Sequence, residues 1–266
     1  MMKYYLLTFL TAALSFSSLR AQTIEHTKLQ CEYKLVWVND TTRRSLTKED
    51  FMILKVGDKV SEFYSYNTYR VDSALQVDLK KGLSAVEILG KRASYGKKGV
   101  DYHIFKNYPS GMTTVFDVVG TDRFKYQEPM GQKWQIQAEK ATINGYKAQK
   151  AICIFSGRKY TAWFTPDVPV ATGPWKFSGL PGLIVKVEDG TGDFKFDLIG
   201  LHKVKDETLI SLPQKPAIST TKADFQKLLI KYHKDPVAYL NATGPVKITP
   251  ANGNQGKGRP YNPIEL

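Results

Sequence analysis

A chain of 266 residues in which 42% are hydrophobic and 12% aromatic can build one substantial core, which sets aside a disordered or low-complexity reading. Against 25 acidic residues stand 38 Lys and Arg, a net +13, but the basic residues come in ones and twos. That pattern describes a solvated cationic surface, not a basic arm, so nucleic acid is not the expected partner.

At the N-terminus Lys3 precedes an apolar run over residues 6–14 and then the small polar residues Ser15 to Ser18. This is the layout of a secretory signal peptide, and residues 1–21 are read as one, cleaved after Ala21. Ser15, Ser17, Ser18 and Arg20 interrupt the run well before the ~20 apolar residues that a membrane-spanning helix needs. No later segment has that character, so the expectation is an exported protein: periplasmic, outer-membrane associated or secreted. Residues 22–240 are read as a single β-rich domain. Residues 241–266, rich in Gly, Pro, Asn and Lys, are read as an extended and mobile tail.

From Leu29 to Val38, apolar residues alternate with Gln30, Glu32 and Lys34, which predicts a half-buried strand. Runs at 51–56 and 59–66 flank Gly57-Asp58 and predict a hairpin. Between Thr68 and Ser94 the apolar spacing turns helical, predicting two short helices broken at Gly82. Strands follow at 103–107, 112–119 and 123–128. Asn144-Gly145 is the strongest hairpin signal in the chain and should join strands over 134–143 and 146–155. Further strands are expected at 159–165, 183–188 and 193–201. Thr221 sits three residues before Asp224 at capping spacing, ahead of the stripe Phe225, Leu228, Leu229 and Tyr232, and Pro236 should stop that helix. The predicted fold is mainly β: a curved antiparallel sheet or partly open barrel with a few packed helices.

Signs of chemistry are few. His26, His103, His202 and His233 are scattered, and no His-Glu-x-x-His or Cys-x-x-Cys spacing suggests a metal. Each histidine is therefore expected at the surface or satisfied within the core. There is no nucleophile elbow and no phosphate-cradling loop, so no cofactor is expected. Cys31 and Cys153 fall within predicted strands. An exported protein can keep a disulfide, yet a buried free cysteine also behaves as a small hydrophobe, and both states of this pair stay open.

The most distinctive stretch runs from Tyr160 to Ile184. Trp163, Phe164, Trp175 and Phe177 lie there among Pro166, Pro169, Pro174 and Pro181, which stiffen the connection. Pro181-Gly182 fits the centre of a type II turn, with Gly182 near φ +80°. Gly179 to Ile184 spells Gly-Leu-Pro-Gly-Leu-Ile, and on this string the chain resembles the GLPGLI family of secreted Bacteroidota proteins. The Gly157-Arg158 turn, Gly173-Pro174 and the closing Asn262-Pro263-Ile264-Glu265-Leu266 fit the same resemblance. It implies export and supplies no reaction.

Two readings of the loop follow. In one, Trp175, Phe177 and Leu180 plug an end of the sheet, and Arg158 and Lys176 are solvated surface cations. In the other, Arg158, Trp163, Pro174, Trp175, Lys176, Phe177, Gly179, Leu180, Pro181 and Gly182 shape a groove for an envelope protein, peptide, lipid or glycan. The function expected is that of a non-enzymatic binding or envelope accessory protein. An envelope hydrolase and a structural or assembly protein are the alternatives. An acid, His or Cys with a partner in hydrogen-bond reach inside the main pocket would favour the hydrolase.

Overall fold

The computed structural model describes residues 23–204, 208–244, 247, 249 and 258–266, and the expected signal peptide lies outside them. The strands are β1 (Thr23–His26), β2 (Leu29–Val38), β3 (Thr47–Val56), β4 (Ser61–Ser65), β5 (His103–Lys106), β6 (Met112–Val119), β7 (Asp122–Pro129), β8 (Gln135–Ile143), β9 (Tyr146–Phe155), β10 (Arg158–Thr165), β11 (Leu183–Asp189), β12 (Phe194–Lys203), β13 (Leu209–Ser211) and β14 (Ile218–Ser219). Twelve of them form one sheet in the order β14-β7-β6-β5-β4-β3-β2-β12-β11-β10-β9-β8, open at both ends. Two antiparallel meanders, β2 to β7 and β8 to β12, are joined where β2 pairs with β12. The short β14 adds to β7 in parallel, which makes the sheet mixed.

The sheet curls. Lys176 reaches the hydroxyl of Tyr126 on β7 at 3.1 Å, while its neighbour Trp175 lies 6.3 Å from the ring of Tyr160 on β10. In a flat sheet those strands, eight steps apart in the order, would be separated by roughly 38 Å at ~4.8 Å per step. The inward face is the core: Leu29, Cys31, Tyr33 and Leu35 on β2 alternate with part-exposed neighbours, as their spacing predicts, and meet Phe63, Ile104, Phe196 and Val187. On the outer face β1 pairs with β13, beside a smaller cluster of Val60, Phe105, Phe116 and Ile210.

Local chemistry places the helices. Ser65 accepts from the Thr68 N–H and starts α1 (Tyr66–Lys80), and Ser84 with Glu87 forms a capping box for α2 (Ala85–Gly90). Gly82, at φ +79°, breaks the chain between them. Thr221 caps α3 (Lys222–Lys234), which packs on β6 and β7 and buries Phe225. Pro236 ends α3 but also opens α4 (Pro236–Thr243), because a proline at the first helical position forfeits no hydrogen bond. Asn144-Gly145 turns β8 into β9 with φ of 49° and 84°, the left-handed pair its sequence requires. The hairpin at Gly57-Asp58 forms as well, but it closes at Val56 and Ser61, so its connection has four residues.

One open question closes and one expectation needs correction. Cys31 and Cys153 are both free and buried, and β12, β11 and β10 lie between their strands in the sheet. Burial pushes both thiols up to about 12, which makes them inert core residues. The last residues are irregular in backbone but docked: Leu266 N–H bonds to the Ser156 carbonyl at 2.8 Å, and the Pro263 and Ile264 carbonyls accept from Arg158 and Tyr160. No helix among the described residues is long and apolar enough to cross a membrane.

Candidate functional site

The loop between β10 and β11 is fastened before it is shaped. Gly182 N–H bonds to the Leu180 carbonyl at 2.8 Å across Pro181, a three-residue turn in place of the expected type II turn. Gly182 therefore sits at φ +149°, and a Cβ built there would lie 2.1 Å from the Thr165 carbonyl oxygen. The two ends of the loop cross in backbone contact. Below it, the ammonium of Lys106 on β5 donates to the Gly173 and Phe177 carbonyls, and Ser61 meets Thr172 at 3.1 Å. Burial pushes Lys106 down to about 7. Trp175, Phe177 and Leu180 are buried, whereas Gly179 and Pro181 are exposed and Trp163 is half-buried.

Arg158 and Lys176 are not solvated cations. Arg158 is 7% exposed and pairs with Asp189 at 2.8 Å while donating to Asn262 and Pro263. Lys176 is 3% exposed; it pairs with Glu128 at 2.5 Å and with both Glu265 oxygens at 2.9 Å. Lys222 of α3 joins the same two carboxylates at 2.8 Å each. The C-terminal segment of residues 259–266 thus lies as a strap across the inner face, held by buried charge.

Between the strap, α3, the loop and the inner face of the sheet is a pocket of about 220 Å³. Leu35, Ile104, Val115, Phe225 and Leu229 give it apolar walls, and Trp175 and Lys176 bring the loop to it. Its polar groups come from three elements. Tyr102 precedes β5, and its hydroxyl is buried without a hydrogen-bond partner. Burial pushes that phenol well above its usual range, so it remains a donor. His233 on α3 stacks on Tyr261 at 4.2 Å, and its Nδ1 is likewise buried and unpartnered. Burial, with Arg259 and Lys48 nearby, lowers its pKa and keeps the ring neutral at pH 7. Asp117 on β6, half-buried, also lines the pocket, and burial raises its pKa to about 7.

A second cleft of about 650 Å³, which shares Val100 and Tyr102 with the first pocket, lies between α1, residues 209–215 and the strands β3 to β5. Cross-strand pairing puts Lys55, Glu62 and His103 on one face there. Glu62 bonds to His103 Nε2 at 2.7 Å and lies 3.4 Å from Lys55. Among the described residues no cluster of three or more His, Cys, Asp or Glu could hold a metal.

A family model described as a protein of unknown function (Porph_ging) matches residues 154–186, which contain β10, the loop and the start of β11. No curated protein matches the chain. Two solved structures of PNGF-II, in the P21 and C2 space groups, are similar with a TM-score of 0.50 and 13% identity. They cover 78% of this chain but only 34% and 33% of theirs, so the chain spans about a third of those proteins' length. The likeness is one of fold.

Of the residues that sequence singled out, the structure brings Trp175 and Lys176 to the pocket. Arg158 reaches it indirectly by holding Asn262 and Pro263. Pro174, Phe177, Leu180 and Gly182 shape the loop behind it, and Cys31, Cys153 and Trp163 stand apart from it. Asp117, Tyr102, His233 and the strap were not anticipated. For His233 a signal existed: it continues the helical stripe of Phe225 and Leu229 at four-residue spacing.

Proposed function

We propose that this chain is an exported, non-enzymatic binding protein of the GLPGLI family, placed in the periplasm, at the outer membrane or outside the cell. Its pocket holds a small, largely apolar ligand. The leader pattern of residues 1–21 supports export, and the unknown-function family match across Gly179 to Ile184 is consistent with the family. The observation that carries the binding reading is the pocket itself, whose apolar walls are joined by three polar residues from separate elements, Tyr102, Asp117 and His233. An apolar cavity with a few convergent polar groups is the usual form of a small-ligand site, and the Tyr102 hydroxyl and His233 Nδ1, buried without a hydrogen-bond partner, belong to residues of its lining. The thiols lie outside the pocket; its acid Glu265 does have partners in hydrogen-bond reach, but they are the ammonium groups of Lys176 and Lys222, which hold it ionised, and no acid bonds to His233 among the described residues.

The test is titration with the neutral dye N-phenyl-1-naphthylamine. Saturable binding to the parent protein, lost when Leu229→Trp fills the pocket, is the expected result. Binding that survives Leu229→Trp places the ligand elsewhere. One observation favours the hydrolase alternative, namely the Glu62–His103 pair in the second cleft. The binding reading expects no turnover of p-nitrophenyl acetate beyond the buffer rate. Turnover abolished by His103→Ala would transfer the function to that cleft.

A further inference from the structure

Of the two carboxylates that line the pocket, Glu265 is paired and Asp117 is not. Lys176 and Lys222 are matched by Glu128 and Glu265, two cations against two carboxylates. His233 is held neutral, and Asp101 and Arg123 act on the site from outside as an opposed pair. Asp117 is left over. Its carboxylate accepts one hydrogen bond, 2.7 Å from the Val118 N–H beside it, and has no ion-pair partner among the described residues. Lys176 and Arg123 act on Asp117 from beyond ion-pair distance, and a carboxyl group drawn out of bulk water without a paired cation is costly when ionised.

The surroundings suit a positive charge. Trp37, Tyr102, Phe194, Phe225 and Tyr261 all line the same pocket, and aromatic faces attract cations, most strongly where water is excluded. Some of this capacity is already used: Lys176 lies over Trp175 and Tyr126 and Arg158 over Phe194, while the neutral His233 ring stacks on Tyr261. Trp37 and Tyr102 have no such cation over them among the described residues, and both stand on the pocket wall with Asp117.

We infer that the pocket's ligand carries a small organic cation, an ammonium or quaternary ammonium group, seated against Asp117 between aromatic rings. This rests on the pocket being the binding site and names the chemistry it selects. The groups facing Asp117 set the pH dependence. Tyr102 and Tyr126 stay protonated, Lys176 and Glu265 stay paired, His233 is neutral at pH 7, and Asp101, whose own pKa burial raises, acts on Asp117 together with Arg123; Asp117 itself titrates near neutrality. A cation binds the ionised carboxylate. Affinity therefore rises as pH climbs through about 7 and falls below it, where binding must first expel a proton.

The experiment compares choline with 3,3-dimethylbutan-1-ol, which has the same shape without the charge, by calorimetry on the full mature chain at about pH 5.5 and about pH 8.5. The expected result is choline binding about tenfold tighter than the alcohol at the higher pH, and about tenfold weaker at the lower pH than at the higher. Asp117→Asn is expected to lose choline while keeping the alcohol, whose binding also reports that the variant is folded. Equal affinity for the two compounds, or choline binding unchanged in Asp117→Asn or between the two pH values, overturns the inference. If the alcohol binds and choline does not, the charge selection fails and the binding reading stands. If neither binds the parent protein, both fall.

Discussion

At Gly182 an added Cβ would meet the Thr165 carbonyl oxygen at 2.1 Å, and at Gly179, also at positive φ (+86°), it would meet nothing within 4 Å. The two glycines separate backbone strain from steric clash. Gly179→Ala should cost about 1 kcal/mol from strain alone, and Gly182→Ala on the order of 3 kcal/mol or more, because a peptide group must move as well. In thermal melts the second variant should therefore lose several degrees more than the first, and equal losses would refute the crossing of the loop ends. Lys106 makes a prediction about pH. Its folded pKa is pushed down to about 7 from 10.5, so between those values the unfolded chain binds the extra proton and stability rises with pH. The parent protein should gain stability over Lys106→Met between about pH 7 and about pH 10 in chemical denaturation. The need for glycine at 182 was legible in Pro181-Gly182; its cause was not, since Thr165 lies across the loop. Likewise the burial of Arg158 and Lys176 depends on Asp189, Glu128 and Glu265, which no local pattern joins to them.

The strap of residues 259–266 and helix α3 act together as one wall. Burial alone would raise the pKa of Glu265, but Lys176 and Lys222 outweigh it and hold the carboxyl below its ordinary 4.5. The carboxylate's contribution is thus fully present above about 4.5 and is lost as pH falls through its lower folded value. Glu265→Gln leaves the buried Lys176 and the part-buried Lys222 sharing Glu128 and should cost on the order of 3 kcal/mol near neutrality. The gap to the parent's melting midpoint should then narrow as the medium is acidified toward about pH 3. A gap that does not change with pH would mean that Glu265 acts by shape and not by charge. The elements themselves were largely readable, because caps such as Thr221 and Ser84, the Asn144-Gly145 turn and the alternation in β2 act within a few residues. The strap was not, because its composition resembles a solvated tail and its partners Arg158, Tyr160 and Lys222 are remote in sequence.

Across the whole molecule, a β-rich fold follows from the strand patterns, but the order of the strands does not. Each hairpin within a meander is signalled by its turn, whereas the β2–β12 pairing that unites the two meanders depends on long-range complementarity between Leu35 and Phe196, or Tyr33 and Leu198. The curl of that sheet brings β5, β6 and α3 within reach of one ligand. Asp117, Tyr102 and His233 converge there, although each looks ordinary in its own segment. The central claim is that this convergence, and not the larger cleft beside α1, is the binding site. Methyl NMR during titration with N-phenyl-1-naphthylamine tests it most directly. Shifts are expected at Leu35, Ile104, Val115 and Leu229, with Val77 and Leu209 of the cleft unmoved. Shifts confined to Val77 and Leu209 would contradict it.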